Sequence, residues 1–317
     1  MIEQISMRDS MNRKILRVER FLCDMDRVIP WDDLLSVILP HYKNGKGGRP
    51  AHDPLLMLRI HFLQLWHNLS DPGTEEAIYD RLSFQHFLGF DCFGFVVPDE
   101  SAILRFRHLL EGQGLSAKIL DSVNSHLATQ GLVFKAGTIV DATLLEAPRS
   151  KKNAQKERDP EMSSTQKNNR WHFGAKGHIG VQAQGKPIIH SVAFSTAKDH
   201  DKTKMIELFH GEERAIFGDS AYGHQEEKRG ARNMEDLYYG IADRGAHKHP
   251  LSSSQKKRNR KLASIRAKVE HPFRVIKEQF GHRKLRYKGI MKNESQFTTL
   301  CAFVNLSLCR KLLLATR

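Results

Sequence analysis

The sequence predicts an α/β fold, in which a mixed five-stranded sheet flanked by helices follows an all-helical N-terminal region. Up to about residue 130, helical runs follow one another and are separated by proline and glycine breaks. From Gly131 onward, short apolar runs of strand length alternate with helical segments. With 317 residues and 40% hydrophobic content, the chain is long enough for two domains. We therefore expect a helical region at 1–130 and an α/β region at 131–317.

Helices are expected at five places in the N-terminal region. They are residues 1–48, which hold one or two helices, and 55–69, 75–88, 102–110 and 115–129. The run 55–69 is apolar nearly all round, which is typical of the central helix of a small bundle. The short basic helix 102–110 carries Arg105 and Arg107, and a turn before it makes a helix-turn-helix reader of DNA compatible with the sequence. A packing or dimerisation module is equally open, because arginines on helices are common.

Five strands and four helices are expected in the C-terminal region. The strands are 134–141, 171–182, 187–194, 215–219 and 237–242, and the helices are 202–209, 225–233, 264–281 and 294–314. The polar segments 149–170 and 244–260 are expected to be loops. Asp199 and Asp201 are predicted to cap the helix 202–209, with a catalytic role for His200 or Asp201 as the minor alternative.

The charge of the chain is strongly basic and is concentrated in one stretch. The formal net charge is +14 and the pI is about 9.7. Residues 244–288 hold fifteen Lys or Arg and two acidic residues, which is +13 of that +14. Such an uneven distribution indicates a polyanionic partner, nucleic acid before membrane.

Cysteine usage and hydropathy favour a cytoplasmic protein of bacterial type. The four cysteines show no CxxC spacing, so neither a zinc site nor a disulfide framework is indicated; they are Cys23, Cys92, Cys301 and Cys309. The N-terminus lacks an apolar signal core. The apolar run Leu300–Leu314 is interrupted by Arg310 and Lys311 and is expected to be too short to span a bilayer. We therefore expect no membrane partner, and nucleoid association when DNA is bound.

The run Ser264–Gly281 predicts an amphipathic helix with two side-chain stripes. At about 100° per residue, one stripe is polar and the other, about 100° away, is apolar. The polar stripe consists of Arg266, Glu270, Arg274 and Lys277, and the apolar stripe of Ile265, Val269, Phe273, Ile276 and Phe280. Pro272 removes a backbone donor, so a local kink is expected just after Glu270. Taken alone, this pattern fits a half-buried helix whose charges are simply solvated.

Two upstream aspartates change the interpretation of Glu270. Asp141 and Asp219 each end a short apolar run of strand length, and sites of open α/β sheets lie at such strand ends. Cleavage of a DNA phosphodiester needs an activated nucleophile and neutralisation of a pentacoordinate phosphate, which two Mg²⁺ ions (or Mn²⁺ as a substitute) supply. Because Mg²⁺ prefers oxygen ligands, we predict Asp141, Asp219 and Glu270 as catalytic metal ligands. The cations of the polar stripe are then predicted to hold DNA phosphate: Arg266, Arg274 and Lys277.

The ordered set of these residues resembles a known family. Ile139-Val-Asp-Ala-Thr, Phe217-Gly-Asp-Ser-Ala-Tyr-Gly and the block R-x3-E-x6-K at Arg266 are similar to the three catalytic blocks of DDE transposases of the IS five family of bacterial insertion sequences, within the IS four superfamily. Trp171-His-Phe-Gly-Ala-Lys-Gly-His, Ser191–Asp201 and the region from Gly48 to Glu111 also resemble the family, so the resemblance covers nearly the whole chain. One departure is Ala263, where the superfamily often has a tyrosine.

The resemblance implies an RNase H-like fold and divalent-metal catalysis. It also implies that double-stranded DNA is cut and joined at the terminal inverted repeats of the element, by a homo-oligomer that bridges two ends and inserts them into target DNA. Trp171 and Lys176, in one of the similar segments, are added to the expected DNA contacts, together with Arg105 and Arg107.

Two alternatives stay open at this point. An RNase H-like nuclease or resolvase would cut DNA without joining it, and a catalytically silent regulator would only bind DNA. Supplying pre-cut ends with free 3′-hydroxyls separates the first alternative from a transposase, because only a transposase gives joined product. Metal-dependent cleavage would exclude the catalytically silent regulator, because a protein that only binds DNA has no use for three converging carboxylates.

Overall fold

The computed structural model describes residues 14–42, 50–90, 96–148, 157–167, 169–223, 237–245 and 250–315. The expected helix at 225–233 therefore lies outside the described residues. Helices precede the sheet, as predicted, and the sheet contains both parallel and antiparallel pairs.

The N-terminal region consists of helices. They are α1 (Arg17–Val28), α2 (Trp31–Ile38), α3 (Pro54–Trp66), α4 (Asp71–Asp80), α5 (Leu82–Leu88), α6 (Glu100–Gly112) and α7 (Leu115–Thr129). The side chain of Asp53 caps α3 by accepting a hydrogen bond from the Leu56 N–H at 3.0 Å. From Met57 to Trp66 only Arg59 is not buried, so α3 is the central helix that its apolar sequence predicted.

The segment after α3 differs from the prediction. Asp71-Pro-Gly was expected to be a break between helices, but it forms the first turn of α4. The Ser70 hydroxyl accepts a hydrogen bond from the Gly73 N–H, and the missing N–H of Pro72 costs nothing in a first turn, where backbone N–H groups have no partner within the helix. The single helix expected at 75–88 is instead two helices, α4 and α5, separated at Arg81, whose backbone is extended.

The described part of the sheet has six strands rather than the five expected. They are β1 (Gly137–Glu146), β2 (Ser163–Lys167), β3 (Arg170–Gln182), β4 (Ile189–Thr196), β5 (Ala215–Gly218) and β6 (Tyr238–Ile241). β3 pairs antiparallel with β1, β2 and β4, whereas β1, β5 and β6 are parallel. β2 lies in the segment expected to be a loop, and its five side chains are largely exposed, so no apolar alternation marked it.

β1 continues past the point where it was expected to end. Residues Ala142 to Glu146 pair with Gly174 to His178 on the 13-residue strand β3. Asp141 therefore lies within β1 rather than at its end, and the prediction of its strand boundary was wrong.

The described helices of the C-terminal region are α8 (Ser253–Arg266), α9 (Glu270–Arg274) and α10 (Ile290–Ala315). α8 begins inside the segment predicted as a basic loop, because Ser252 and Gln255 form a reciprocal capping box. The helix expected at 202–209 is replaced by two 3-10 turns, Asp201–Lys204 and Ile206–Leu208.

α10 joins the helical region to the sheet. It packs against α1, α7 and β4, and the Phe303 ring stacks on Phe62 of α3 at 3.7 Å between ring centroids. Phe297 lies flat against Gly177 of β3, where an added Cβ would be 2.5 Å from the ring. A single hydrophobic cluster consequently includes side chains of both regions.

By length and composition α10 also passes the test for a membrane-crossing helix, against the expectation that its apolar run is too short. Its most apolar window is 67% buried inside the protein, and core helices of soluble proteins pass the same test. The burial of α10 against three other elements accounts for its apolar sequence.

Candidate active site

Strand register brings the two aspartates together. Ile139 of β1 lies opposite Phe217 of β5 in a parallel pair. The parallel pairing ends at this pair, and Asp141 and Asp219 each follow it by two residues, which brings them to neighbouring positions. The sequence predicted this meeting, although Asp141 is internal to β1 and Asp219 directly follows β5.

Backbone groups hold one oxygen of each aspartate. Oδ1 of Asp141 accepts a hydrogen bond from the Ala142 N–H at 2.8 Å. Oδ1 of Asp219 accepts from the Ala221 N–H at 2.8 Å and so caps the 3-10 turn Ser220–Tyr222. Both contacts fix the direction of the carboxylates, and each carboxylate has a second oxygen with which to bind a ligand.

Glu270 is the first residue of α9 and is exposed. α9 is only five residues long and lies between the 3-10 turn Ala267–Val269 and the π turn Val275–Gln279. The backbone hydrogen-bond pattern thus changes on both sides of Pro272, as its missing donor predicted. The predicted apolar stripe is confirmed: Val269, Phe273, Ile276 and Phe280 are buried and Ile265 is partly buried. This packing keeps Glu270 near β1, which the turn Ala267–Val269 contacts.

The three carboxylates act on one another electrostatically. Burial is the main cause that raises the pKa of Asp141 to about 6, and the negative charges of Asp219 and Glu270 raise it further. The Ala142 hydrogen bond and the positive charge of Arg266 oppose this rise without cancelling it. The site therefore disfavours the ionised form of the half-buried Asp141 carboxyl, chiefly through burial.

A divalent cation fits this set of donors chemically. All three side chains offer oxygen, which Mg²⁺ prefers, and a cation would stabilise the ionised form of Asp141, which burial and the two neighbouring carboxylates disfavour. Among the residues that the structure describes, no group of three or more His, Cys, Asp or Glu side chains is already arranged to hold a metal ion. Asp141, Asp219 and Glu270 are thus neighbours that a cation would draw together.

The cations of the predicted polar stripe have different environments. Arg274 is exposed on the same short helix as Glu270. Arg266 is partly buried, and its Nε has no hydrogen-bond partner within the described ranges. Nζ of the half-buried Lys277 donates to the Leu144 carbonyl at 2.9 Å, and burial lowers its pKa. Arg274 therefore suits a phosphate contact best, whereas Lys277 ties the π turn to β1.

One of the other predicted DNA contacts is corrected by the structure. Arg107 is buried: its guanidinium lies 2.9 Å from Asp71 and 2.7 Å from Glu111 and covers the Tyr287 ring. It holds the helical region together instead of facing DNA. Arg105, on the same helix, is 72% exposed.

The two predicted contacts on β3 also differ from each other. The side chain of Trp171 is 65% exposed. Lys176 is engaged inside the protein, where Nζ donates to the Asp199 carbonyl at 2.7 Å and lies 2.8 Å from Oδ1 of Asp201. Asp199 itself accepts from the N–H and the hydroxyl of Thr196, so it closes a turn rather than capping a helix.

Sequence reasoning missed Tyr222. It follows Asp219 by three residues, and the 3-10 turn that Asp219 caps carries its side chain into a hydrophobic cluster, where it is fully buried. The available signal was the spacing Asp-x-x-Tyr, which places both residues on one side of such a turn.

A basic surface lies next to this centre. α8 packs against β5 and exposes four basic side chains, those of Lys256, Lys257, Arg260 and Lys261. Arg258 anchors the helix by pairing with Asp243 at 3.0 Å and donating to the carbonyls of Ile241 and Tyr239. The exposed cations are thereby held on a helix that is fixed to β5 and β6.

Comparison with known families agrees with this arrangement. Residues 133–306, more than half of the chain, match the family described as Transposase DDE domain. Residues 10–109 match a second family, described as Transposase domain (DUF772). The chain therefore belongs to the DDE transposases of insertion sequences, which process DNA and generally use divalent metal ions.

Proposed function

We propose that this transposase is of the IS five family, and that it cuts DNA at the terminal inverted repeats of its element and joins the freed 3′ ends to target DNA. The observation that carries the proposal is the neighbouring position of Asp141 on β1 and Asp219 directly after β5, within electrostatic reach of Glu270. Three carboxylates in this arrangement suit two Mg²⁺ ions, with Mn²⁺ as a substitute.

In this mechanism Asp141, Asp219 and Glu270 hold the ions. The bound ions would activate the attacking oxygen and neutralise charge on the pentacoordinate phosphate. With a pKa of about 6, Asp141 is largely ionised at pH 7 to 8 and is ready to act as a ligand. Exposed Arg274, one turn from Glu270, holds a phosphate oxygen of the DNA strand, because a guanidinium matches phosphate in charge and geometry.

The DNA partner follows the basic surface of α8. Lys256, Lys257 and their neighbours neutralise backbone phosphates without reading sequence. We assign recognition of the inverted repeats to the helical region 1–130, where Arg105 is exposed, and catalysis to 131–317. A homo-oligomer would bridge the two ends of the element in the cytoplasm, where the DNA is.

Substitutions of the carboxylates test the proposal. Asp141→Asn, Asp219→Asn and Glu270→Gln should each abolish Mg²⁺-dependent cleavage of an inverted-repeat DNA while leaving DNA binding largely intact. Glu294→Gln on α10 is the matched control, because Glu294 is half-buried outside the site and burial raises its pKa too. Strand transfer is measured with pre-cut ends that carry free 3′-hydroxyls.

Each result of these assays would identify one of the alternative functions. Cleavage without any joined product would make the protein a nuclease or resolvase. Binding without metal-dependent cleavage would make it a silent regulator. Wild-type strand transfer in any one of the three carboxylate variants would overturn the assignment of the metal ligands.

A further inference from the structure

Asn68 has a left-handed backbone just after the end of α3, with a φ of 49°. Residues with positive φ are common at helix C-termini, where glycine is the usual choice and asparagine the next. The Leu69 N–H donates to the Gln64 carbonyl at 2.9 Å and closes this turn. Glycine would serve the backbone equally well, so the asparagine side chain has a separate reason to be there.

That reason is a set of hydrogen bonds to a segment 213 to 218 residues further along the chain. Nδ2 of Asn68 donates to the Gly281 carbonyl at 2.9 Å. Arg286 donates to the Asn68 carbonyl at 2.6 Å and to its Oδ1 at 2.7 Å. The buried His282 donates from Nε2 to the Leu65 carbonyl of α3 at 2.7 Å. We call residues 281–286 the clasp, because they bind the end of α3 from both sides of Asn68.

The clasp is also bonded to the two elements that carry Asp141 and Glu270. It follows the π turn Val275–Gln279, and the His282 N–H donates to the Ile276 carbonyl of that turn at 2.9 Å. The Leu285 N–H donates to the carbonyl of Glu146, the last residue of β1, at 2.8 Å. One short segment therefore connects the helical region with β1 and with the run that begins at Glu270.

Glu270 depends on such a connection more than the two aspartates do. The Asp141 and Asp219 carboxylates each accept a hydrogen bond from a backbone N–H. In the described part of the chain the exposed Glu270 carboxylate accepts none, and its five-residue helix lies between a 3-10 turn and a π turn. The position of Glu270 is thus set by what holds this irregular run in place, and the clasp holds its C-terminal end.

We propose that Asn68 is a positioning residue for Glu270. Through the clasp, the helical region holds the run of Glu270 where it can bind a cation together with Asp141 and Asp219. The inference rests on the proposed function and deepens it, because the helical region then shapes the catalytic centre in addition to recognising DNA. Asn68 itself contacts neither the cation nor the reacting phosphate.

The test compares two substitutions that remove one amide side chain each. Asn68→Gly keeps the left-handed backbone and removes the side-chain bonds to the clasp. Gln85→Ala is the control, because its amide donates to the Ile78 and Tyr79 carbonyls, at 2.9 and 3.0 Å, within the helical region. Neither substitution changes the charge of the protein.

Three quantities are measured on the full chain. Thermal unfolding without DNA is followed in EDTA and over a Mg²⁺ titration, and the Mg²⁺ midpoint is the concentration that gives half of the rise in Tm. Glu270→Gln is the baseline for Mg²⁺ binding outside the site. Affinity for inverted-repeat DNA is measured in EDTA. The Mg²⁺ concentration for half-maximal cleavage is measured at a temperature at which every variant is folded.

The expected pattern separates positioning from stability. Asn68→Gly should raise the Mg²⁺ midpoint about tenfold in both assays, as expected when the arrangement able to bind is populated about one-tenth as often. Its DNA affinity in EDTA should not change, because no phosphate contact is lost. Gln85→Ala should lower Tm by about 2 °C at every Mg²⁺ concentration and leave the midpoint unchanged.

A double variant tests whether Asn68 acts through the clasp. Arg286→Ala removes the partner of Asn68 and should raise the Mg²⁺ midpoint as well. Asn68→Gly/Arg286→Ala should raise it by much less than the product of the two single effects, because both substitutions break the same contact. A midpoint equal to that product would mean that the residues act independently, which would overturn the inference.

The remaining results also decide the inference. An unchanged Mg²⁺ midpoint in Asn68→Gly would overturn it, and so would an equal rise in Gln85→Ala, since the effect would then come from stability. If the wild type shows no metal-dependent cleavage, the proposed function fails and the Tm titration decides alone. A rise of Tm with Mg²⁺ that Glu270→Gln abolishes and Asn68→Gly weakens supports the inference, whereas the lack of such a rise overturns it.

Discussion

Buried charge is arranged in opposite ways in the helical region and at the centre of the sheet. In the helical region the positive Arg107 lies between two carboxylates, those of Asp71 and Glu111. On the interior strand β1, Asp141 has two other carboxylates near it, and Arg266 is the cation that acts on it. One cluster contains its own counter-charges and the other has an excess of negative charge.

The pKa values follow this difference. Burial tends to raise the pKa of Asp71, but the hydrogen bonds from Arg107 and Gln64 outweigh burial and lower it. Burial raises the pKa of Asp141, and its carboxylate neighbours raise it further. The charges of the Arg107 cluster are compensated within the protein, so this cluster is structural. The charges of the Asp141 cluster would be compensated when a cation binds, which is the property expected of a metal-dependent active site.

The largest effect is expected when the Asp141 cluster is changed. Asp141→Asn or Asp219→Asn should reduce the rate of cleavage by at least about 10³-fold, because the charge that develops on the phosphate loses its stabilisation. The same variants should not lower the metal-free Tm, since they remove repulsion between carboxylates. Single-turnover cleavage and thermal unfolding on the same samples check both statements. A variant that loses activity together with Tm would place that aspartate in the structural class.

Changing the Arg107 cluster should have the reverse effect. Arg107→Ala leaves Asp71 and Glu111 buried without their cation, and should cost about 3–5 kcal/mol of unfolding free energy. Arg105→Ala, two residues away and exposed, should change stability by less than about 0.5 kcal/mol. Urea unfolding measures both. If Arg107→Ala were as stable as the wild type but bound DNA more weakly, the original expectation of a DNA contact would be restored.

A pH series measures directly how much burial and the neighbouring carboxylates disfavour the ionised form of Asp141. Asp141 has a folded pKa of about 6, above the ordinary value of 3.8, so the folded protein holds more protons between these values. Wild-type stability in EDTA should fall as the pH rises from about 4 to 6, by on the order of 3 kcal/mol from this group, and should show no further change from it above that range. Asp141→Asn lacks this decrease.

The comparison of the two proteins over pH isolates that contribution. The stability of Asp141→Asn relative to the wild type should grow from pH 4 to 6 and then stay constant. Glu294→Gln serves again as the control for a half-buried carboxyl outside the site. A difference that does not vary with pH would mean that Asp141 titrates normally in the folded protein.

The sequence predicted those parts of the site that depend on local pattern. Apolar runs located the strands β1 and β5 near the two aspartates, whereas their parallel register is seen only in the structure. The amphipathic period around Glu270 predicted which face is buried, and Pro272 predicted the irregular backbone. Each of these features is encoded within a few residues of the site that it forms.

Features that depend on distant partners were not predictable. Arg105 and Arg107 look alike in sequence, and only Asp71, 36 residues away along the chain from Arg107, decides which one is buried. The polar edge strand β2 has no apolar face to mark it and is specified by pairing with β3. Asp141 stays inside β1 because the long strand β3 provides partners as far as Glu146.

The smallest effect is expected from lysine substitutions on α8, which change the salt dependence of DNA binding and leave both charge clusters intact. Lys256→Ala/Lys257→Ala removes two exposed charges of α8, which packs against β5, and Lys118→Ala/Lys311→Ala removes two exposed charges elsewhere. Each phosphate contact that is lost should reduce the slope of log affinity against log salt by about 0.9. We expect a reduction of about 2 for the α8 pair and no change for the control pair, measured in EDTA so that no cleavage occurs. Equal slopes in the two double variants would mean that DNA does not follow α8, and the basic track would then have to be sought among the exposed cations that follow α9.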